Sequence, residues 1–482
     1  MTGFARFKIV AGPLAAFLII RFSELDPANP LVSKMAGIAV WMAIWWLSEA
    51  VHLAVTSLVP FIMLPLLGIA SAKNVSSEYM DQVIFLFIGG FLISFAIERW
   101  KLHQRIALKI LSLAGTKPKR ILLGVMLTSF IISMWISNTA TVMMLLSAVL
   151  AIVFMTDKPD GSNKGFHKAL LIGLAYSATI GGMATLVGTP PNMVFMRTFT
   201  ETYPDSTVMN FSKWFSIGFP LAVVLLVFCY WMLSILFLKN THDTGVKATY
   251  FSEQYKLLGK MDYEQKVVSV LFIATAVLWF TRADIVFGSF VVPGWSNIFD
   301  HPGWITDSTV AVFMALLLFI IPSKSEKGTA LLRWSDAVKL PFDIILLFGS
   351  GFALAMGFET SGLSSWLAGN LEVLKGTNQL VLILSIVSLV CIISEFASNV
   401  ASIQLMLPIL IALQKELQID PLVLMVPATL AASLGFMLPV ATAPNTIVFG
   451  SRKISVYDMA RAGFWMDIAG ILIITLFFYW LH

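Results

Sequence analysis

The sequence predicts an all-α polytopic membrane protein with about 11 transmembrane helices, two re-entrant hairpins and an inverted repeat. Three observations carry this. The 482 residues are 58% hydrophobic and 12% charged, with a mean hydropathy of +0.85, far from the composition of a soluble domain. Two apolar runs of roughly 35 residues each hold a small polar triplet at mid-length, too long for one bilayer crossing and too short for two. The two halves of the chain repeat one another in register.

Composition narrows the function before any motif is read. The first apolar run is not followed by a small-residue cleavage site, so no secretory signal is expected. The net charge of +5 is accounted for by Lys and Arg on cytoplasmic loops and calls for no nucleic acid. Cys229 and Cys391 both lie in apolar runs, and no structural disulfide is expected from them.

In chain order, residues 8–22, 33–50 and 52–70 read as three spans, the second rich in tryptophan, with His52 and the tryptophans as packing and interface anchors. Residues 82–99 form the fourth. In the next stretch Lys101, Arg105 and Lys109 fall at i, i+4, i+8 beside Leu102, Ile106, Ile110 and Leu113, which predicts a helix lying flat at the cytoplasmic interface over 100–114. The first hairpin spans about 120–155. Residues 167–199 are apolar but broken at Gly188-Thr189-Pro190-Pro191-Asn192, and 212–238 form a further span. A lysine-bearing polar loop, 239–265, leads to spans at 265–282, 308–322 and 341–361. The second hairpin covers about 379–413. Residues 421–450 are again broken, at Ala441-Thr442-Ala443-Pro444-Asn445, and 461–481 form the last span. The segments Arg99 to Arg120, Lys239 to Lys266, Lys324 to Lys339 and Arg452 to Arg461 are basic, and Thr198 to Asn210 has no Lys or Arg. That asymmetry puts the N-terminus in the cytoplasm and, with an odd number of spans, the C-terminus outside.

The repeat aligns IFLFIGGFLISFAIERWKL, from Ile84, with ILLFGSGFALAMGFETSGL, from Ile345, pairing Phe91 with Phe352 and Glu98 with Glu359. ISMWISNTA aligns with ISEFASNVA at the same offset, and GTPPN with ATAPN slightly out of it. An odd number of crossings between the halves makes the repeat inverted. Inverted repeats with paired broken helices point to a secondary transporter whose substrate and ions meet at the midplane.

Each half thus offers a polar tip and a helix break. Ser137 and Ser398 are good N-caps for the returning hairpin arms. Thr189 before two prolines suits the start of a half-helix. Backbone carbonyls, hydroxyls and the Asn138 and Asn399 amides can ligate Na⁺, while helix N-termini with Ser and Asn groups can hold a carboxylate. No Lys or Arg lies in either tip or break, so the charge of a bound anion must be offset by dipoles and cations. Ser133 and Ser394 occupy matching places four residues before each tip serine. Glu395, an acid within a hairpin arm, is expected either in function or in a structural hydrogen bond. Glu98 and Glu359 are expected to be interfacial or ion-paired.

The paired Ser-Asn-Thr and Ser-Asn-Val tips, GTPPN and LPVATAPN resemble the divalent anion/sodium symporter family, from about residue 40 to the C-terminus. The family includes Na⁺-coupled dicarboxylate and citrate transporters. The resemblance implies a homodimer in the inner membrane, working as an elevator. Its scaffold domain would take residues 1–119 and 264–361, and its transport domain 120–263 and 362–482, with the 100–114 helix as a connecting arm. It also implies one Na⁺ site at Ser133, Ser137, Asn138 and Gly188. A second would lie at Ser394, Ala397, Asn399 and Ala441, with Ala397 and Ala441 contributing carbonyls. Substrate contacts would come from Ser137, Asn138, Thr139, Thr189, Ser398, Asn399 and Val400. Val400 stands where a full Ser-Asn-Thr tip has threonine, and Ala443 replaces a proline; both remove contacts from the second half.

The expected function is Na⁺-driven symport of a C4-dicarboxylate such as succinate, malate or fumarate. A Na⁺-independent exchanger would need some other charge to balance the anion, and a citrate or other divalent-anion carrier is the alternative substrate. An enzyme would need a nucleophile–base pair or metal ligands at depth, and none is visible. A channel has no use for two opposed hairpins.

Overall fold

The computed structural model describes residues 3–157, 163–204, 209–239, 241, 249–287 and 290–481. It is helical throughout; among the described residues the strands are Ile285–Phe287 and Phe290–Val292, a short antiparallel pair. Nine helices among the described residues are long and apolar enough to cross a bilayer. Two stretches expected as full spans are shorter. Residues 52–70 divide into Leu53–Thr56 and Val59–Leu66, because Pro60 cannot donate the N–H that would continue the first helix and instead sits in the first turn of the second. Residues 308–322 give Asp307–Ile320, of 14 residues. Parts of the expected loops 198–210 and 239–265 lie outside the described residues.

The repeat written in the sequence is carried by the elements. Helix Gln82–Arg99 is followed by Leu102–Ala114, then by Pro118–Ser133 and Asn138–Met155 joined at a tight tip. Lys164–Met183 and Pro190–Thr202 flank the first break, and Phe211–Phe237 closes the half. The second half runs Phe342–Thr360, Leu363–Asn370, Gln379–Phe396, Asn399–Leu417, Pro421–Ala431, Ala443–Phe449 and Val456–Leu481. Phe87 and Phe348, equivalent in the repeat, meet edge to face at 5.1 Å, a geometry that aromatic quadrupoles favour.

The halves are interleaved. The helix after the first break, Pro190–Thr202, packs on Asn399–Leu417 and Pro421–Ala431, while Ala443–Phe449 packs on Asn138–Met155 and Lys164–Met183. The fully buried Tyr176 hydroxyl donates to the Phe436 carbonyl at 2.6 Å, joining a helix of the first half to the second break. Small residues set the closest approaches, as they do between membrane helices generally. A Cβ on Gly89 would lie 2.6 Å from the Ala311 carbonyl carbon, where Gln82–Arg99 crosses Asp307–Ile320.

One residue of the basic helix is placed otherwise than its spacing suggests. Leu102–Ala114 is amphipathic, but Arg105 is 7% exposed and faces protein. Its guanidinium donates to Gln265 Oε1 at 3.1 Å, the Gly259 carbonyl at 2.9 Å and the Leu258 carbonyl at 3.1 Å. Tyr250–Leu257 packs across this helix, with Lys109 over the Tyr255 ring. The planar fork of arginine suits three carbonyl-type acceptors at once, so Arg105 fastens the helix to its cover while Lys101 and Lys109 stay exposed. Nearby, the guanidinium of Arg99 bonds Asp336 and Glu326 at 2.6 Å each and holds the Glu326 carboxyl below its ordinary range. Glu359 pairs with Lys415 at 3.6 Å, while Glu98 is exposed at its helix end. His52 accepts from Ala54 N at 3.3 Å as a helix cap.

Gly89→Val should force these two helices apart and lower thermal stability in detergent by about 1–3 kcal/mol, the usual cost of overpacking; an unchanged melting curve would mean the crossing is looser than its backbone separation indicates.

Candidate functional site

Both tips are built the same way. Pro118–Ser133 ends, and Ser137 caps Asn138–Met155, its hydroxyl accepting from Ala140 N at 3.3 Å. Ser398 occupies the cap position of Asn399–Leu417. Beneath each tip the matching serine reaches up: Ser133 Oγ donates to Asn138 Oδ1 at 2.7 Å, and Ser394 Oγ to Asn399 Oδ1 at 2.9 Å. Ser394 Oγ also lies 2.5 Å from the Ala432 carbonyl, at the end of the helix before the second break.

The breaks match as closely. Thr189 stands in extended conformation before Pro190, the first residue of its helix, and Thr442 caps Ala443–Phe449 by accepting from Asn445 N at 3.3 Å. In each break an asparagine ties the unwound turn together. Asn192 Nδ2 donates to the carbonyls of Gly182 at 3.1 Å and Thr185 at 2.7 Å. Asn445 Nδ2 donates to those of Gly435 and Leu438, both at 3.1 Å. Sequence reading missed both residues, although the final Asn of each motif was the signal available. Their Oδ1 atoms are fully buried and have no hydrogen-bond partner among the described residues. A buried carbonyl oxygen left alone is costly, and its appearance at the same place in both halves fits a site that completes its oxygen shell with a cation or water.

Close approach of backbone brings tip and break together. A Cβ on Gly182 would lie 2.5 Å from Asn138 Oδ1, and one on Gly188 2.6 Å from the Gly182 carbonyl oxygen. Only hydrogen at these positions lets the Asn138 amide settle against the end of Lys164–Met183.

Tips and breaks border one cavity of about 520 Å³. Ser137, Asn138, Thr139, Thr189, Ser398, Asn399 and Val400 all line it, as do Gly188, Ala397 and Ala441. Ser133 and Ser394 do not; they are fully buried below it. Every residue expected at the site is therefore either on the cavity wall or directly under it. Leu47, Ser48, Glu49, Phe87, Phe91 and Ile344 form the opposite wall. No Lys or Arg is among the lining residues, and Glu49 is their one acid. The starts of Asn138–Met155, Pro190–Thr202 and Asn399–Leu417 all open on this space. Each helix N-terminus carries about half a positive charge and unsatisfied N–H donors. Together with amides and hydroxyls they suit a carboxylate, and the oxygens beneath suit a hard cation.

Asn192→Leu keeps the branched outline, with somewhat more bulk, but bonds neither the Gly182 nor the Thr185 carbonyl. It should lower the melting temperature of the protein by an amount equivalent to about 1–3 kcal/mol, the cost of unpairing buried carbonyls; wild-type stability would mean these bonds do not hold the break.

Known proteins resemble this chain along nearly its whole length. The profile of the family described as the sodium:sulfate symporter transmembrane region matches residues 7–482. A Staphylococcus saprophyticus protein named sodium-dependent dicarboxylate transporter SdcS is 38% identical over 484 residues, covering 98% of this chain and 90% of that protein. Its namesake from Staphylococcus aureus strain MRSA252 is 37% identical over 483 residues, with the same coverage. Among solved structures, Neisseria gonorrhoeae MtrF, described as illuminating a class of antimetabolite efflux pumps, aligns with a TM-score of 0.58 at 15% identity, covering 84% of this chain and 82% of that one. The Alcanivorax borkumensis YdaH transporter aligns at 0.57 and 13% identity, covering 85% and 87%. At such identities these two show a shared fold and nothing finer. By its full-length profile match and its relatives, the chain belongs to the sodium:sulfate symporter family, the divalent anion/sodium symporters.

Proposed function

We propose that this chain is a Na⁺-driven symporter of C4-dicarboxylates such as succinate, malate and fumarate, working in the cytoplasmic (inner) membrane. The observation that carries the reading is the meeting of three helix N-termini and two Ser-Asn tips on a cavity with no basic lining residue. Relatives named sodium-dependent dicarboxylate transporters support the same ion and substrate class. In this reading one Na⁺ takes Ser133, Ser137, Asn138 and Gly188, and another takes Ser394, Ala397, Asn399 and Ala441. The dianion lies between Ser137, Asn138, Thr139 and Thr189 on one side and Ser398, Asn399 and Val400 on the other. Helix dipoles alone do not neutralise two carboxylates, so bound cations complete the site and anion binding depends on them.

The finer architecture belongs to the same proposal: 11 spans, two hairpins entering from opposite faces, an inverted repeat, N-terminus in the cytoplasm, C-terminus outside, and a homodimer. Residues 120–263 and 362–482 move as a transport domain against a scaffold of 1–119 and 264–361. Polar contacts cross that boundary and have to rearrange. Arg197 pairs with Glu78 and Asp81 and lies 4.7 Å above the Phe352 ring. Gln404 Nε2 donates to the Leu347 carbonyl at 2.7 Å, and Phe211 N donates to Asp307 Oδ2 at 2.8 Å. Arg105 on Leu102–Ala114 bonds Gln265 of the scaffold and Leu258 and Gly259 at the end of the transport segment, so this helix serves as an arm joining the two.

Purified protein in proteoliposomes should accumulate labelled succinate under an inward Na⁺ gradient and not under K⁺. Asn138→Ala and Asn399→Ala should each abolish that uptake while the protein stays folded. Uptake without Na⁺, or wild-type uptake by either variant, would overturn the coupling assignment.

Motion is tested separately. Cysteines replacing Arg197 and Asp81, bridged by a short bifunctional reagent, should stop uptake yet leave succinate able to raise the melting temperature. Motions of this size fall between microseconds and seconds, and undiminished uptake by a fully bridged protein would require a local gate instead.

A further inference from the structure

The halves brace their breaks by different chemistry. In the first, the residue three before the tip serine is Met134, and the groups holding the turn are neutral. Thr185 Oγ1 donates to the Met134 carbonyl at 2.5 Å and accepts from Gly188 N at 3.1 Å. In the second half the position of Met134 belongs to Glu395. Its Oε1 accepts from Met437 N at 2.8 Å and its Oε2 from Leu438 N at 3.0 Å. The Leu438 carbonyl accepts in turn from Ala441 N at 3.2 Å and from Asn445. Glu395 thus follows Ser394 directly, precedes Ala397 by two residues and holds the turn that ends at Ala441.

Hydrogen bonds from N–H groups to both oxygens of a carboxyl favour its ionised form. Glu395 is 5% exposed and has no ion-pair partner among the described residues. The groups facing it are Asp467 from Val456–Leu481, a second buried acid within hydrogen-bonding reach of it, Tyr176 from Lys164–Met183 and Cys391 from its own helix; none of them is basic, and the two acids carry the negative charge together. The first tip and break, 133–139 and 184–189, contain no acid. The repeat is therefore symmetric in its oxygen ligands and asymmetric in charge. An uncompensated negative charge in a low-dielectric setting raises the affinity of a cation a few ångströms away far more than it would in water.

We propose that Glu395 makes the second-half cation site the stronger of the two, so that Na⁺ fills the site at Ser394, Asn399 and Ala441 before the site at Ser133, Asn138 and Gly188. This rests on the reading of those two groups as Na⁺ sites. Glu395 is a positioning residue: it touches neither ion nor anion, and acts through its charge and through the turn it holds.

The test follows melting temperature against NaCl, with choline as the replacement cation and no substrate present. In the wild-type protein Na⁺ should raise the melting temperature. Glu395→Gln, close in shape but uncharged, should raise the half-effective Na⁺ concentration by about 5-fold or more, whereas Glu395→Asp, which keeps the charge, should stay within about 2-fold. Ser394→Ala should weaken the response as Glu395→Gln does, and Ser133→Ala should retain most of it. An Na⁺ response of Glu395→Gln like that of wild type overturns the inference, as does an equal shift in Gln and Asp variants, which would make the brace and not the charge decisive. Should Glu395→Gln fail to fold, the serine pair decides: loss in Ser133→Ala with retention in Ser394→Ala reverses the order. A response unmoved by either serine variant removes the cation assignment underneath.

Discussion

A backbone amide at membrane depth has no water to bond, and everything at this site follows from that constraint. Where the chain leaves the helix, at two tips and two breaks, each freed N–H and C=O needs a partner from the protein or from a ligand. The sequence meets the demand with short polar side chains. Asn192 and Asn445 each bond two freed carbonyls, Thr185 bridges the first tip and first break, and Glu395 takes two amides of the second. What remains unpaired, the Oδ1 atoms of the two asparagines and the helix N-termini, is of the kind that cations and carboxylates satisfy. Under the proposed function, structural need and transport chemistry draw on the same atoms.

The repeat explains why the site has two of everything. Equivalent serines lie beneath equivalent asparagines at 2.7 and 2.9 Å, and equivalent phenylalanines, Phe87 and Phe348, touch where the halves meet. Duplication does not bring equality, however. Val400 lacks the hydroxyl that Thr139 offers in the first half and Ala443 stands where the first half has Pro190, while Glu395 puts an acid at the position of Met134. A site built this way can hold two like ions with different strengths and a substrate whose two ends are read differently.

Interleaving gives the site its rigidity. Because each half-helix after a break packs on the hairpin of the other half, no tip can shift without carrying the opposite break with it. The facing wall belongs to other helices and combines apolar Leu47, Phe87, Phe91 and Ile344 with Ser48 and Glu49. Apolar surfaces slide at lower cost than hydrogen-bonded ones, and the polar contacts that cross the proposed domain boundary, such as Arg197 with Glu78 and Asp81, lie away from the cavity lining.

By itself the sequence determined the membrane class, the helix breaks, the doubling and most of the polar residues that border the cavity. Those features rest on local chemistry: apolar run length, the N-capping habit of serine, the missing N–H of proline, and a repeat visible in the residues. Tertiary structure alone decided three things. It covered Arg105 with the segment around Tyr255, where periodicity placed it facing water, because periodicity reports a helix face and not what lies against it. Asn192 and Asn445 became the ties of the breaks, because which carbonyls an amide can reach depends on where a broken helix turns. For Glu395, left open between function and a structural bond, it supplied two amides more than 40 residues away in the chain. Contacts across such distances depend on how the halves interleave, and no local pattern encodes that.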